Sequence, residues 1–499
     1  MDIADPPIPT VIDRWRQDLP ERSYALLAPR GYDDATLLHW NHTLAAQLGL
    51  PEPTGGHQAN WLPVWAGTRP YPGAEPLATV YSGHQFGVWA GQLGDGRALR
   101  IADIIDASGC GWELQLKGAG RTPFSRGADG RAVLRSSIRE YLGSEAMHAL
   151  GIPTTRALSL VGSQQPVIRE TVETGAIVCR VSPSFVRFGH FEHWASRNDL
   201  PMLQALLDHV VRHHLPDCAA AAPAETALRV FEQAVVRSAE LVARWQAVGF
   251  CHGVMNTDNM SLLGLTLDYG PFGFMDGFDA NHICNHSDEH GRYRWAAQPS
   301  VVHWNLACLA SALAPLLDDS EELRSMLKGY EPAFRAAWVR QARAKLGLRT
   351  EQAEDINLFE RLLGLMHEAR ADHTLTFRRL SGTAPPSAQV QRSEDLFADR
   401  EAFRAWHGEW MARLRHEGSA DEAGLLAETQ VRMDAVNPVL VLRNHLAELA
   451  IRDTASGSTL VLDRLYKALQ APFAENPEFA DFHALPPDWA ASLEVSCSS

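Results

Sequence analysis

Two carboxylates and an amide stand close together near the middle of the chain. Asp258 and Asn259 close the run Cys251-His252-Gly253-Val254-Met255-Asn256-Thr257-Asp258-Asn259, and Asp268 follows in Leu267-Asp268-Tyr269-Gly270. Asn259 and Asp268 offer hard oxygen donors, which suit magnesium, with manganese as an alternative, bridging phosphates. Asp258, beside the amide, can accept a proton from a hydroxyl. Groups for the rest of a polyphosphate lie upstream. Lys117 ends Trp112-Glu113-Leu114-Gln115-Leu116-Lys117, whose alternation predicts a half-buried strand. Glu140 lies on a predicted helix from Arg131 to Leu150, striped by Leu134, Ile138, Tyr141, Leu142 and Ala149 and stopped by Gly151-Ile152-Pro153. A glutamate there can hold the lysine ammonium against phosphate oxygens, with Glu145 as its rival. Arg180 and Arg187 carry guanidinium forks that grip phosphate in two places. Two glycine-rich stretches, one with Gly94, Gly96 and Arg97 and one from Gly118 through Asp129 to Gly130, let backbone N–H groups approach phosphates. Each signal has a bland counterpart. A Gly-Asp-Gly turn is an ordinary hairpin signal, the second stretch lacks the Gly-Lys-Ser/Thr ending of a Walker A loop, and a lone arginine usually makes a surface ion pair.

Taken together the spacing is more specific. His252 to Asn259 keeps the register of the protein-kinase motif His-Arg-Asp-x-x-x-x-Asn, and Asp268-Tyr269-Gly270 that of Asp-Phe-Gly. Val254 then stands where a kinase has its catalytic aspartate. Valine cannot accept a proton, so ordinary kinase chemistry lacks its base, and Asp258 is the available substitute. His282, Cys284, His286 and His290 follow, where a kinase has its activation segment. They are ligand types for zinc, but their spacing is not a standard zinc pattern.

The elements that must position these groups fall into three stretches. Residues 1–75, rich in Pro, Gly and Trp, read as an extension wrapped on a larger body. Residues 76–190 read as a small mixed lobe, with strand-like runs at 157–161 and 176–181. Residues 191–499 read as a large helical lobe ending in a redox-type tail, with helices predicted over 227–248 and 301–317 and an Ala-rich loop over 218–224. The expected fold is thus α+β, two-lobed and protein-kinase-like. The 499 residues are 45% hydrophobic and 21% charged, ordinary values for a globular protein. A net charge of −15 argues against a nucleic-acid partner but permits a local basic cleft. No apolar run is long enough to span a membrane. The acidic amino terminus has no secretory pattern, and the seven dispersed cysteines read as reduced thiols, so a cytoplasmic protein is expected.

These motifs, and especially Glu113 to Pro123 and His252 to Met260, resemble the selenoprotein O family of kinase-fold protein adenylyltransferases, over nearly the whole chain from Tyr81-Ser82-Gly83-His84-Gln85-Phe86-Gly87 onward. The resemblance implies an ATP inverted relative to kinases, with the α-phosphate presented for attack. AMP passes to Ser, Thr or Tyr hydroxyls of proteins, self-modification included, and pyrophosphate leaves. It implies that Gly94, Gly96 and Arg97 form the nucleotide loop, that Lys117, Arg180 and Arg187 hold phosphates, and that Asp129 and Gly130 lie against the nucleotide. Glu140 pairs with Lys117, Asn259 and Asp268 bind metal, and Asp258 is the base. Some relatives carry selenocysteine near the carboxyl terminus, where this chain has Cys497. Cys284 is its candidate redox partner. Two alternatives stand beside this reading: a kinase passing on the γ-phosphate with Asp258 as base, and an inactive ATP-binding scaffold.

Overall fold

The computed structural model describes residues 8–382, 393–417 and 422–496. Cys497 lies outside them. The amino-terminal part is built on an antiparallel sheet. Its strands are β1 (Thr10–Val11), β2 (Tyr24–Leu26), β3 (Thr36–Trp40) and β4 (Leu77–Thr79). After a separate hairpin, β5 (Ser82–Gln85) with β6 (Val88–Gln92), come β7 (Ala98–Ile105), β8 (Gly111–Lys117), β9 (Ala132–Val133), β10 (Arg156–Ile168) and β11 (Val172–Ser182). The sheet order is β2-β4-β7-β8-β11-β10-β3, with β1 on β7 and β9 on β11. Residues 10–40 therefore supply three of its strands, so the amino-terminal segment is part of the sheet as well as a wrapping on it.

The sheet has two differently covered faces. On one, Leu114, Leu116, Ile177, Cys179 and Val181 pack against Trp40, Trp61, Trp65 and Tyr71 of the amino-terminal segment. On the other lies the helix Leu134–Ala149, whose Ile138, Tyr141 and Leu142 meet Val178 and Leu160. This corrects the half-buried reading of β8. Its residues alternate as expected, but Glu113, Gln115 and Lys117 are buried as well. Their face is polar because ion pairs fill it: Arg100 with Glu113 at 3.3 Å, Arg14 with Asp103 at 2.7 Å, and Lys117 with Glu140.

From residue 188 onward helices dominate. The long helix is Pro223–Ala247, four residues earlier at its start than expected because Pro223 takes the first-turn position that needs no N–H donor. The next core helix is Gln298–Leu313, followed by a short 3₁₀ turn. A mixed α+β fold with an antiparallel amino-terminal sheet and a helical carboxyl-terminal region is thus observed. Among the described residues no helix is long and apolar enough to cross a membrane.

Between the long helix and the core helix, β12 (Phe250–Cys251) pairs with β13 (Gly273–Phe274), with Phe250 opposite Phe274. That two-residue ladder closes residues 252–272 into one loop, which carries Asp258, Asn259 and Asp268. The loop is tied to the sheet side at Arg187, which bridges Ser261, and through the Phe188 N–H, which donates to the Met260 carbonyl at 2.9 Å.

Candidate functional site

A cavity of about 680 Å³ opens between the sheet and this loop. Gly94, Gly96, Arg97, Lys117, Asp129, Gly130, Arg180, Arg187, Asp258, Asn259 and Asp268 all line it, with Val254 beside them. Glu140 lies beneath the floor, and Cys284 is outside. Seven cationic side chains face the cavity (Arg97, Lys117, Arg126, Arg131, Arg169, Arg180 and Arg187) against four carboxylates (Asp95, Asp129, Asp258 and Asp268). In a chain of net charge −15 this is a local excess of positive charge, and focused positive potential suits a polyphosphate.

Strand register brings the floor cations together. Arg180 on β11 stands opposite Gln115 on β8, and Lys117 two residues on shares that face. Lys117 Nζ donates to Glu140 Oε2 at 2.5 Å, and Arg180 donates to Oε1 of the same carboxylate. Glu145, the rival, instead binds Arg156 at 2.8 Å and the amide of Asn41 at 2.8 Å. Burial opposes ionisation of Glu140, but Arg180 and Lys117 outweigh it and hold the carboxyl below its ordinary range. Burial also pulls the Lys117 ammonium down, to about 8, with Glu140 opposing. Removing one partner from such a buried pair typically costs about 3–5 kcal/mol, because the other charge is left uncompensated.

Asp268 sits at φ +55°, left-handed backbone that a non-glycine adopts at a cost of roughly 1–3 kcal/mol. Its carboxylate is held there by two guanidiniums: Arg180 at 2.7 Å on one oxygen, and Arg187 on the other. Burial works against its charge, yet Arg187 and Arg180 drive its pKa far below the carboxylate range. Arg187 also donates to the Asp258 carbonyl at 2.6 Å, and its Nε is buried with no hydrogen-bond partner. Asn259 donates its amide N–H to the Val254 carbonyl at 2.9 Å, so its side-chain oxygen is its remaining donor to a cation. Hard oxygens of Asn259 and Asp268 therefore line one cavity, a donor set that fits magnesium or manganese.

Asp258 differs from Asp268. Burial pushes its carboxyl up to about 6, with Arg187 and a hydrogen bond from Gln85 pulling the other way. One oxygen accepts from Gln85 Nε2 at 3.3 Å; the other, Oδ1, is buried without a partner. A carboxylate near neutrality with an unused oxygen is suited to taking a proton.

The glycines do more packing than their motif suggests. A Cβ on Gly94 would lie 2.6 Å from the Phe124 ring and 2.9 Å from the Thr79 carbonyl, and one on Gly130 only 2.2 Å from the Gly120 carbonyl. The two glycine-rich stretches pack on one another, joined by Thr122 Oγ1 donating to the Asp95 carbonyl at 2.7 Å. Asp129 is an ion-pair partner of Arg169 at 2.8 Å, at the cavity rim.

Sequence reasoning missed several lining residues. Gln85 and Phe86, at the tip of the β5–β6 hairpin, and Asn256 are brought in by a clamp. The Phe86 N–H donates to Asn256 Oδ1 and Tyr293 OH, both at 3.0 Å, and Tyr293 OH donates to Asn256 Oδ1 at 2.7 Å. The His282–His290 set does not converge on a metal among the described residues. The convergent ligand groups are Asp18 with His209 and His213, and His84 with Glu192 and Cys308. Cys284 is buried, its Sγ donating to the Cys251 carbonyl at 3.4 Å. Two positions on, the His286 N–H donates to the Val495 carbonyl at 2.8 Å, so the tail reaches this segment two residues before Cys497.

Comparison with known proteins agrees with this chemistry. Residues 13–470 match the family described as protein adenylyltransferase SelO. The chain is 54% identical to the protein nucleotidyltransferase YdiU of Bordetella petrii, over 98% of each chain. It is similar at 54% to that of Bordetella avium, over 96% of each, and at 53% to that of Burkholderia multivorans, over 98% of this chain and 94% of the relative.

Proposed function

The chain belongs to the protein adenylyltransferase SelO family, a protein nucleotidyltransferase by that membership, and on this premise we propose that its cationic cavity moves AMP from ATP to Ser, Thr or Tyr hydroxyls, with Asp258 as base. The observation that carries the reading is Asp258 itself: a buried carboxyl near neutrality, one oxygen unpartnered, in a cavity lined by seven cations.

In this reading the acceptor oxygen forms a bond to the α-phosphorus of ATP as the bond to pyrophosphate breaks. The hydroxyl proton goes to Asp258. Negative charge on the departing pyrophosphate is met by Lys117, Arg180 and Arg187, preorganised by Glu140 and Asp268 so that little rearrangement is needed. Gly94, Gly96, Arg97, Asp129 and Gly130 hold the rest of the nucleotide, inverted relative to a kinase in a kinase-like two-lobed frame. Asn259 and Asp268 would hold magnesium or manganese, which when bound neutralises phosphate charge. Asp268, whose carboxylate Arg180 and Arg187 hold, would be the ligand shared with that cation. Arg187, with an unused buried N–H, has a donor to spare for phosphate.

Regulation through the tail belongs to the same proposal. Cys284 packs on Gly253 at the start of the Asp258 loop, and the tail is already docked at His286. An exogenous peroxide or disulfide taking two electrons and two protons from Cys284 and Cys497 would join tail and loop.

The test is to map the adduct. After incubation with ATP and metal, AMP should be found on oxygen of Ser, Thr or Tyr, in this protein and in added proteins. AMP found only on lysine or histidine nitrogen would overturn the reading.

A further inference from the structure

A second cavity, about 750 Å³, adjoins the first and shares Phe86 with it. Its floor is apolar, from Phe86, Ala297, Val301 and Trp304, and Arg292 lies across it. The Arg292 guanidinium stacks on the Trp304 ring at 4.9 Å and lies against Gly87, where a Cβ would come within 2.9 Å of it. Gly87 has φ +82° and Phe86 +50°, so the hairpin tip is bent into left-handed backbone directly above this arginine. Two carboxylates line the cavity: Glu289 is exposed, and Asp288 is used otherwise, accepting from the backbone N–H groups of Arg292 at 3.0 Å and Tyr293 at 2.8 Å. No carboxylate among the described residues stands within ion-pair distance of the guanidinium, and Arg292 Nε is buried without a hydrogen-bond partner.

An arginine held in place by an aromatic ring and a glycine turn, with no anion of its own, is a receptor for an anion from outside. The wall between this cavity and Asp258 is the Gln85-Phe86 tip, pinned by Asn256 and Tyr293. A hydroxyl passing that tip meets the base.

We propose that this cavity is the docking groove for the acceptor protein. An extended segment lays an Asp or Glu side chain on Arg292 and delivers a neighbouring hydroxyl past Phe86 to Asp258. The inference rests on adenylyl transfer in the adjoining cavity and adds the chemistry of the acceptor: an acidic residue flanking the modified one. Charge complementarity argues for this occupant, since the bound segment supplies the carboxylate that Arg292 lacks.

The experiment uses the full-length protein and a peptide array, each peptide with one Ser, Thr or Tyr and with Asp, Lys or Ala at successive flanking positions, and reads α-labelled AMP incorporation. Wild type should favour Asp at one flanking position by about tenfold or more over Ala. Arg292→Glu should reverse the preference toward Lys at that same position while ATP affinity, measured by calorimetry, stays as in wild type. If Arg292→Glu melts early, Arg292→Gln should flatten the preference instead. No flanking preference in wild type, or one that survives both substitutions, would overturn the groove assignment and leave adenylyl transfer standing. Absence of α-label on any peptide or protein would remove the transfer reading, and the groove with it.

Discussion

At the scale of single residues, two aspartates ten positions apart are driven in opposite directions. Asp268 has two arginines on its carboxylate and is ionised at any working pH; Asp258 has burial as its main influence and is pushed up to about 6. Transfer should therefore fall as pH drops through about 6, because the base is protonated below that value. The hydrogen bond from Gln85 favours the charged carboxylate, so Gln85→Ala should raise the pKa of Asp258 and move the acidic limb of the pH–rate profile upward. Both shifts are read from kcat/KM against pH. An unmoved limb in Gln85→Ala would mean that Gln85 does not act through Asp258. Asp258, Asn259 and Asp268 were legible in the sequence because they share one loop, and Lys117 and Glu140 because they stand on a strand and on the next helix after it. Gln85 was not, since it meets Asp258 across 173 positions, and the Phe86–Tyr293 contact spans 207. No local spacing encodes such pairs.

At the scale of elements, β8 shows where periodicity stops being informative. Its alternation holds in the fold, but alternation alone does not say whether the polar face meets water or buried countercharges. Arg14, Arg100 and Glu140 come from other elements and decide it. The glycine-rich stretches carry a similar lesson. Their composition suits an approach to phosphate, and they line the cavity, but Gly130 is also required by its backbone neighbour. Gly130 has φ +70°, and a Cβ added there would meet the Gly120 carbonyl at 2.2 Å. Gly130→Ala therefore combines a left-handed penalty of roughly 1–2 kcal/mol with overpacking of about 1–3 kcal/mol. Gly127, at φ +85° with open space around it, should incur only the first. In denaturant unfolding Gly130→Ala should thus be the more destabilised of the two, and it should also bind ATP more weakly. Equal losses in the two variants would show that the close approach of Gly130 to the Gly120 carbonyl does not limit stability.

At the scale of the whole molecule, an acidic chain concentrates cations in one cleft between a sheet and a loop clamped by β12 and β13. The mixed α+β character was legible from the order of strand-like and helical runs. That residues 10–40 supply part of the sheet was not, because short strands at 10–11, 24–26 and 36–40 are recognisable only by what they pair with. That this cleft passes on the α-phosphate, with Asp258 taking the proton, is checked by incubating wild type and Asp258→Ala with metal and ATP labelled at either the α- or the γ-phosphate. Wild type should label protein from the α-position alone, with Asp258→Ala binding ATP as before and transferring about 10²–10⁴-fold more slowly. Labelling from the γ-position, or an Asp258→Ala variant that transfers at the wild-type rate, would contradict this assignment.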